Sequence, residues 1–483
     1  MATLGLRSAH PAAGGAAAAA AARAPSDSLS RILAEMSRPG APERGEDHVL
    51  RDFVDAESRS YSGERFNRFV VELLSRVRAL VTSPDAAERL AGVAAVDELG
   101  GARAFTSSAP RLSDLVRLLM DAFAPGSDAA TMEAAARALG VIVTAGGAAV
   151  ADVVEEQVRR GIAWLAAPRA EHARLAGVLV LKELAAAAPA VFNVHVRAFI
   201  EVVWNALRDP RQAVRERACD ALRACLVLVE KRETRYRMQW YFRLFEETQR
   251  GLTRAAGLET VHGSLLALGE LLRHTGEFML ARYREVCETV LALRDSREKP
   301  VRAAVVALLP RLAAFAPERF VRAYLRQAVS HLLGVLAAPA ERGAGFAAIG
   351  EMAEALAAAG VGGYMRAPDD FLTPIAAAIR EALTVRARGR PPCAEALACA
   401  GTLGAALGAD WRPHMAALLE PAAATGLSEP LVAALHAVAG ALPELLPRAQ
   451  ALLLELVSLV LARRPYSAAT PPATVAALQA GLA

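Results

Sequence analysis

Aromatic residues make up only 5% of this 483-residue chain. A β-sandwich or barrel builds its core from aromatic and β-branched side chains. Here the 54% hydrophobic content comes mainly from alanine, leucine and valine, the first two being strong helix formers. Cysteine is scarce too. Cys219, Cys225, Cys287, Cys393 and Cys399 form no C-x-x-C pair, and an odd count without a framework argues against a secreted disulfide scaffold. No two Cys or His positions have zinc-ligand spacing, so the thiols read as small buried hydrophobes in a reducing compartment. Net charge is nearly missing: 55 Lys+Arg against 51 Asp+Glu leave +4. Arginine is interleaved with glutamate, as in RERACDALRAC from Arg215, whereas a nucleic-acid binder gathers its basic residues into a stripe. The run Arg386-Ala-Arg388-Gly-Arg390 reads as a solvated loop, and no nucleic-acid partner is expected. Long apolar runs are absent as well: Leu452–Ala462 is short and contains Glu455, while a bilayer span needs about 20 apolar residues.

Catalytic constellations are also missing. Asp370-Phe371 is followed by Leu372, so it is not the D-F-G of a protein kinase, and no H-R-D, V-A-I-K or Walker A stretch occurs. Gly401, Gly404 and Gly408 fit no phosphate-loop or dinucleotide spacing and suit close helix packing instead. There is no H-E-x-x-H, and a lone His262 reads as structural. Glu155-Glu156 and Glu246-Glu247 are sequence neighbours that point in different directions on a helix and read as solvated faces. No catalytic residue, metal ligand or cofactor is expected.

What is present is repetition. Segments such as SPDAAERLAGVAAVDELG from Ser83, RDPRQAVRERACDALRACLVLV from Arg208 and EKPVRAAVVALLPRLAAF from Glu298 share one form. Each has a Pro or Asp near its start, an Arg a few residues on, then small and aliphatic residues at helical spacing. Anchors at Pro84, Asp128, Pro168 and Pro210 are 44, 40 and 42 residues apart, the period of HEAT and armadillo repeats. Thr260, Pro300, Ala340, Pro392 and Pro430 continue with steps of 50, 40, 40, 52 and 38. Pro or Asp suits the free N–H groups and positive dipole end of a first helical turn. Val214, Ala218, Ala221, Leu222 and Cys225 form one apolar stripe, and Arg211, Arg215, Glu216 and Arg223 fall mostly off it. LSDLVRLLMDAFA from Leu112 and HVRAFIEVVWNALR from His195 supply candidate first helices. Paired helices of this kind must stack on their neighbours to bury their apolar faces. The fold expected is all-α: an α-solenoid, or superhelix, of HEAT/armadillo-type hairpins.

The expected boundaries are an Ala/Gly/Pro/Ser-rich, disordered segment over 1–46, about nine repeats over 47–467 and a weakly helical tail over 468–483. Residues 1–26 contain no acid and could alternatively be a transit peptide. Ser28 to Met36 could form one loose helical turn. Lys231–Gly251, dense in charge and aromatics, reads as an elaborated repeat or a long helix; Gly360–Asp370 and Val385–Pro392 read as loops.

Several stretches resemble the N-terminal HEAT region of the target-of-rapamycin (TOR) kinases. These are RRGIAWLAAPRAEHARLAGVLVLKELAAAAP from Arg159, VWNALRDPRQAVRERACDALRACLVLVEKRET from Val203 and QWYFRLFEETQRGL from Gln239, and VHGSLLALGELLR, LLPRLAAFAPERF and LLEPAAATGLSEPLVAAL continue in the same order. The resemblance runs from about Ser75 to about Pro465. It departs in one place: many members carry a long polar insertion between the segments matching Val261–Arg273 and Arg282–Leu293, and here the connection is short. In that family the rapamycin-binding and kinase regions lie far C-terminal, so no phosphoryl transfer is expected from this chain. The resemblance implies a cytoplasmic scaffold arm, peripheral at endomembranes through its complex, that packs against Raptor-like and Rictor-like subunits and a Rheb-like small GTPase. It also implies an inter-repeat polar ladder, whose pattern Asp209 and Arg215 match. Trp164, Arg208, Arg211, Trp240 and Tyr241 combine the matching motifs with exposed-looking aromatics and arginines, and are the expected partner contacts. A free-standing HEAT adaptor, for transport or phosphatase assembly, is the alternative.

Overall fold

The computed structural model describes residues 27–38, 48–167, 171–232, 236–253, 256–384 and 393–462. The expectations for residues 1–26, the basic run at 386–390 and the tail at 468–483 lie outside the described residues. The chain divides into two compact units, 1–240 and 241–483.

Nine helices of the described residues begin within three residues of the nine sequence anchors. In the first unit these are α4 (Ala86–Gly101), α7 (Ala129–Gly146), α9 (Glu171–Ala187) and α11 (Gln212–Lys231); in the second, α13 (Leu258–His274), α16 (Lys299–Phe315), α19 (Arg342–Ala358), α21 (Ala394–Leu407) and α23 (Glu429–Ala441). Within each unit they lie side by side as an inner row: α4 on α7, α7 on α9 and α9 on α11, then α13 on α16, α16 on α19, α19 on α21 and α21 on α23. An outer row backs them. α3 (Gly63–Val81), α6 (Ala109–Leu119), α8 (Ala151–Ala166) and α10 (Pro189–Leu207) pack on α4, α7, α9 and α11 in turn. α15 (Tyr283–Ala292), α18 (Leu325–Leu336) and α20 (Leu372–Leu383) do the same on α16, α19 and α21, followed by α22 (Arg412–Ala423) and α24 (Leu446–Leu461). No strand occurs among the described residues. The result in each unit is the two-layer solenoid of HEAT-type hairpins that the period implied.

Local chemistry starts the inner helices where the anchors stand. The Asp85 carboxylate accepts the N–H groups of Ala87 and Glu88, Asp128 accepts from Thr131, and Ser428 accepts from Leu431. Each satisfies donors left free in a first turn. Pro300 and Pro430 occupy first-turn positions, where a missing N–H costs nothing. The α11 stripe is buried as its period requires. Arg215 is buried with it, contrary to the expectation that it falls off the stripe, because its guanidinium folds back onto the turn before the helix (below).

Small residues set the spacing in the inner row. A Cβ built on Gly401 of α21 would sit 2.8 Å from the Cα of Ala434, and one on Gly404 would sit 3.0 Å from Val438. Those two glycines pack as expected. Gly408 does not: it ends α21 at φ +52°, a conformation that favours glycine.

Part of the 1–46 segment is ordered, as the turn read over Ser28–Met36 allowed. Residues 27–36 form a helix (α1) with Leu29 and Leu33 buried, and Ser30 Oγ accepts from Arg76 of α3. The next helix, α2 (Val49–Ser60), packs on α4. Lys231–Gly251 includes α12 (Arg237–Gly251), within which the division between the units falls. One expectation about membranes needs correction. Ala129–Ala166 contains an 18-residue window apolar enough to cross a bilayer by length and composition. Gly147, at φ +51°, separates α7 from α8 inside that stretch, and both helices pack against α9.

Candidate protein-interaction site

Trp164, Arg208 and Arg211 lie where outer helices turn into inner ones, and Trp240 and Tyr241 lie near the start of α12. Trp164 and Trp204, forty residues apart, stand in the last turns of the consecutive outer helices α8 and α10. Trp164 is half-buried, its ring 6.0 Å from that of Phe123. Trp204 is buried, and the Arg208 guanidinium lies over it at 5.2 Å, close enough for a cation–π contact. Asn205 Nδ2 donates to the Leu165 carbonyl at 3.0 Å, tying the two outer helices together. Arg211 is exposed, and its N–H donates to Asp209 Oδ1 at 2.9 Å as the chain enters α11. Trp240 is half-buried, its ring 6.3 Å from Tyr236.

Tyr241 is the exception. It is only 3% exposed, its hydroxyl donates to the His274 carbonyl at 3.1 Å, and its ring lies 5.9 Å from Phe278. One step along a helix turns a side chain by about 100°, so neighbours in sequence need not share a face. Phe242, next in the chain, is exposed beside Arg282. Tyr241 belongs to the core and is not available to a partner.

The inter-repeat polar ladder is present with Asp209 as one of its rungs, whereas Arg215 bonds to its own turn. Arg215 Nη1 donates to the carbonyls of Asp209 and Pro210, at 2.8 and 2.9 Å, within its own repeat. The Asp209 carboxylate instead receives Arg174 of the preceding repeat, at 2.5 Å, with the acid side chain fully buried. The same construction recurs. Arg89 holds the Ser83 and Pro84 carbonyls and reaches Asp128 of the next repeat at 2.7 Å. Arg302 holds those of Ser296 and Arg297 and pairs with Glu341 of the next repeat. One guanidinium thus clamps its own turn while forming a charge-assisted bond onward, a use of its planar fork that lysine cannot reproduce. The recurrent Arg after each turn was visible in the sequence; Arg89, Arg174 and Arg302 were not singled out because their acceptors lie in the neighbouring repeat.

Electrostatics follow this geometry. Burial pushes the Asp128 carboxyl upward, but Arg89 and the N–H and hydroxyl of Thr131 together outweigh it and hold it at about 2. Arg302 holds the Glu341 carboxyl below the usual range against the opposing effect of burial. The Cys225 and Cys399 thiols are pushed up by burial in apolar surroundings, and with Cys219 and Cys287 they are buried and in no disulfide among the described residues. Among the described residues no group of three or more His, Cys, Asp or Glu could hold a metal ion. The turns that carry the half-buried Trp164 and the exposed Arg211 are thus tied to their neighbours by hydrogen bonds and an ion pair.

No protein-family model matches the chain. The serine/threonine-protein kinase TOR of Arabidopsis thaliana is 43% identical over 449 residues, covering 93% of this chain and 18% of the kinase. The TOR kinase of Oryza sativa subsp. japonica is 44% identical, covering 88% and 17%. The tor1 kinase of Schizosaccharomyces pombe is 31% identical, covering 87% and 18%. The chain therefore spans less than a fifth of the length of these relatives. Among solved structures, the karyopherin of the Kap95:Nup1 complex is similar at a TM-score of 0.56 and 16% identity, over 91% of this chain and 54% of that one. Kap121p bound to Pho4p is similar at 0.52 and 13%, over 90% and 44%. At these identities the likeness is one of fold.

Proposed function

This chain is homologous to a stretch of the target-of-rapamycin serine/threonine kinases, and from that premise we propose that it is a non-catalytic, protein-binding scaffold arm of a TOR complex. The observation that carries the reading is 43% identity sustained over 93% of the chain. The partners proposed are Raptor-like and Rictor-like subunits and a Rheb-like small GTPase, in the cytoplasm and peripherally at endomembranes through the complex. The contacts proposed are Trp164, Arg208, Arg211 and Trp240, which the two-layer packing leaves exposed or half-exposed at the ends of helices. The chain spans 17–18% of these relatives' length, and we assign their kinase activity to the remainder.

An affinity pull-down of the tagged chain from its own cell extract, read by mass spectrometry, tests the reading. Recovery of Raptor- or Rictor-like subunits is expected. Paired Trp164→Ala and Arg211→Ala substitutions are expected to reduce that recovery at least about fivefold, as the loss of interface hot spots does. Importin-like cargo or a phosphatase subunit in place of those partners would establish the free-standing adaptor instead.

A further inference from the structure

An open cleft of about 660 Å³ lies at the N-terminal end of the first unit's helix stack and away from the contacts proposed above. It runs along one face of α2, where His48, Arg51, Asp52, Asp55, Ser58 and Arg59 recur at helical spacing, and is closed on the far side by Arg103. Asp55 organises it. Its carboxylate accepts the backbone N–H groups of Arg103 and Ala104, at 3.2 and 3.0 Å, and its carbonyl accepts Ser58 Oγ and Arg59 Nε, at 2.8 and 3.0 Å. The Arg51 guanidinium packs against Gly101, two residues from Arg103. The frame is rigid. Glu98 Oε2 accepts the N–H groups of Leu50 and Arg51, at 2.9 and 3.2 Å, and Leu50 and Val54 are fully buried beneath α2.

Three guanidinium groups therefore line one cleft with two carboxylates. Asp55 is already committed to two backbone amides, which leaves Asp52, at the exposed rim, as the one uncommitted acid among the lining residues. Arg51, Arg59 and Arg103 form no ion pair with a carboxylate among the described residues. Elsewhere in the chain arginines are regularly paired, as the ladder shows. One guanidinium fork satisfies both oxygens of a carboxylate, whereas several forks arriving from different elements match a tetrahedral anion with more acceptor sites. We propose that this cleft binds the phosphate group of a phosphorylated ligand, with Arg51, Arg59 and Arg103 as its donors. The cleft is larger than one phosphate and open to solvent, so the phosphate is carried by a larger compound.

Calorimetric titration of the full chain with inorganic pyrophosphate at low salt tests this. One site with a Kd on the order of 0.1–1 mM is expected, weakening as salt is raised. Arg59→Gln and Arg103→Gln, both surface changes, are each expected to weaken binding at least about fivefold. The exposed control Arg197→Gln, in α10, should leave it unchanged. Circular dichroism melting confirms that each variant folds. No heat at 10 mM pyrophosphate, or equal losses in Arg103→Gln and Arg197→Gln, overturns the site in favour of diffuse surface charge. Co-sedimentation with vesicles containing about 10% phosphatidylinositol 4-phosphate in phosphatidylcholine, and not with phosphatidylcholine alone, assigns the phosphate to a lipid headgroup. Pyrophosphate binding without such co-sedimentation assigns it to a soluble compound.

Discussion

Asp128 shows how much a single side chain carries in this fold. It caps α7 through Thr131 and receives Arg89 from the preceding repeat, so one carboxylate serves a helix start and an inter-repeat contact. Its folded pKa of about 2 lies below the unfolded value near 3.9. Its stabilising contribution is therefore complete above the unfolded value and is lost as pH falls through the folded one. The side chain is partly solvated, which moderates the size of the effect. In urea titrations, the stability gap between the wild-type chain and Asp128→Asn is expected to be constant from pH 7 to 5 and to shrink toward pH 2. A gap that does not change over that range would show that the pairing with Arg89 contributes nothing to the native state.

Between helices, the inner row depends on absent side chains. At Gly401 the obstacle is the Ala434 backbone, which cannot rotate away as a long side chain can. Gly401→Val is expected to push α23 off α21 and to lower stability by about 1–3 kcal/mol, the usual cost of overpacking. Gly440, in α23, has open space where a Cβ would go. There Gly440→Ala is expected to be neutral or to stabilise by up to about 1 kcal/mol, through better helix propensity and a less flexible unfolded chain. Denaturant melts of the two variants side by side should move in opposite directions, or one should not move at all; equal losses would mean that helix propensity, not spacing, governs the row. Charge also acts between helices: Arg217 of α11 reaches Glu133 of α7 at 2.7 Å, across the repeat that lies between them.

For the molecule as a whole, nearest-neighbour stacking means that damage stays local. Asp209→Ala leaves the largely buried Arg174 without its counter-charge, a loss of about 3 kcal/mol for a buried pair. Hydrogen exchange read by mass spectrometry should accelerate about a hundredfold in α9, α10 and α11, since each tenfold corresponds to about 1.4 kcal/mol. Protection in α21 and α23 should be unchanged. A uniform acceleration along the chain would show a single cooperative unit in place of a repeat array.

Composition and period were sufficient for the class of fold. A 3.6-residue apolar rhythm recurring about every forty residues has no other economical burial than stacked hairpins, and Asp85, Asp128 and Ser428 mark helix starts through capping that is local to the chain. Trp164 and Arg211 were legible as surface candidates because they stand beside turns. Tyr241 was misread because one helical step separates its direction from that of exposed Phe242, and that direction acquires meaning when its hydroxyl reaches the His274 carbonyl. The ladder was half legible. The sequence shows an Arg after each turn, but which acid answers it depends on the stacking distance between repeats, so Arg174 rather than Arg215 meets the Asp209 carboxylate. The arginine cleft around Asp55 was invisible in the sequence for the same reason: Arg59 and Arg103 are forty-four residues apart and share a surface only once α2 has packed on α4. Local hydrogen bonding and hydrophobic period are written in consecutive residues, whereas the meeting of charges from different repeats is decided by the packing that brings those repeats together.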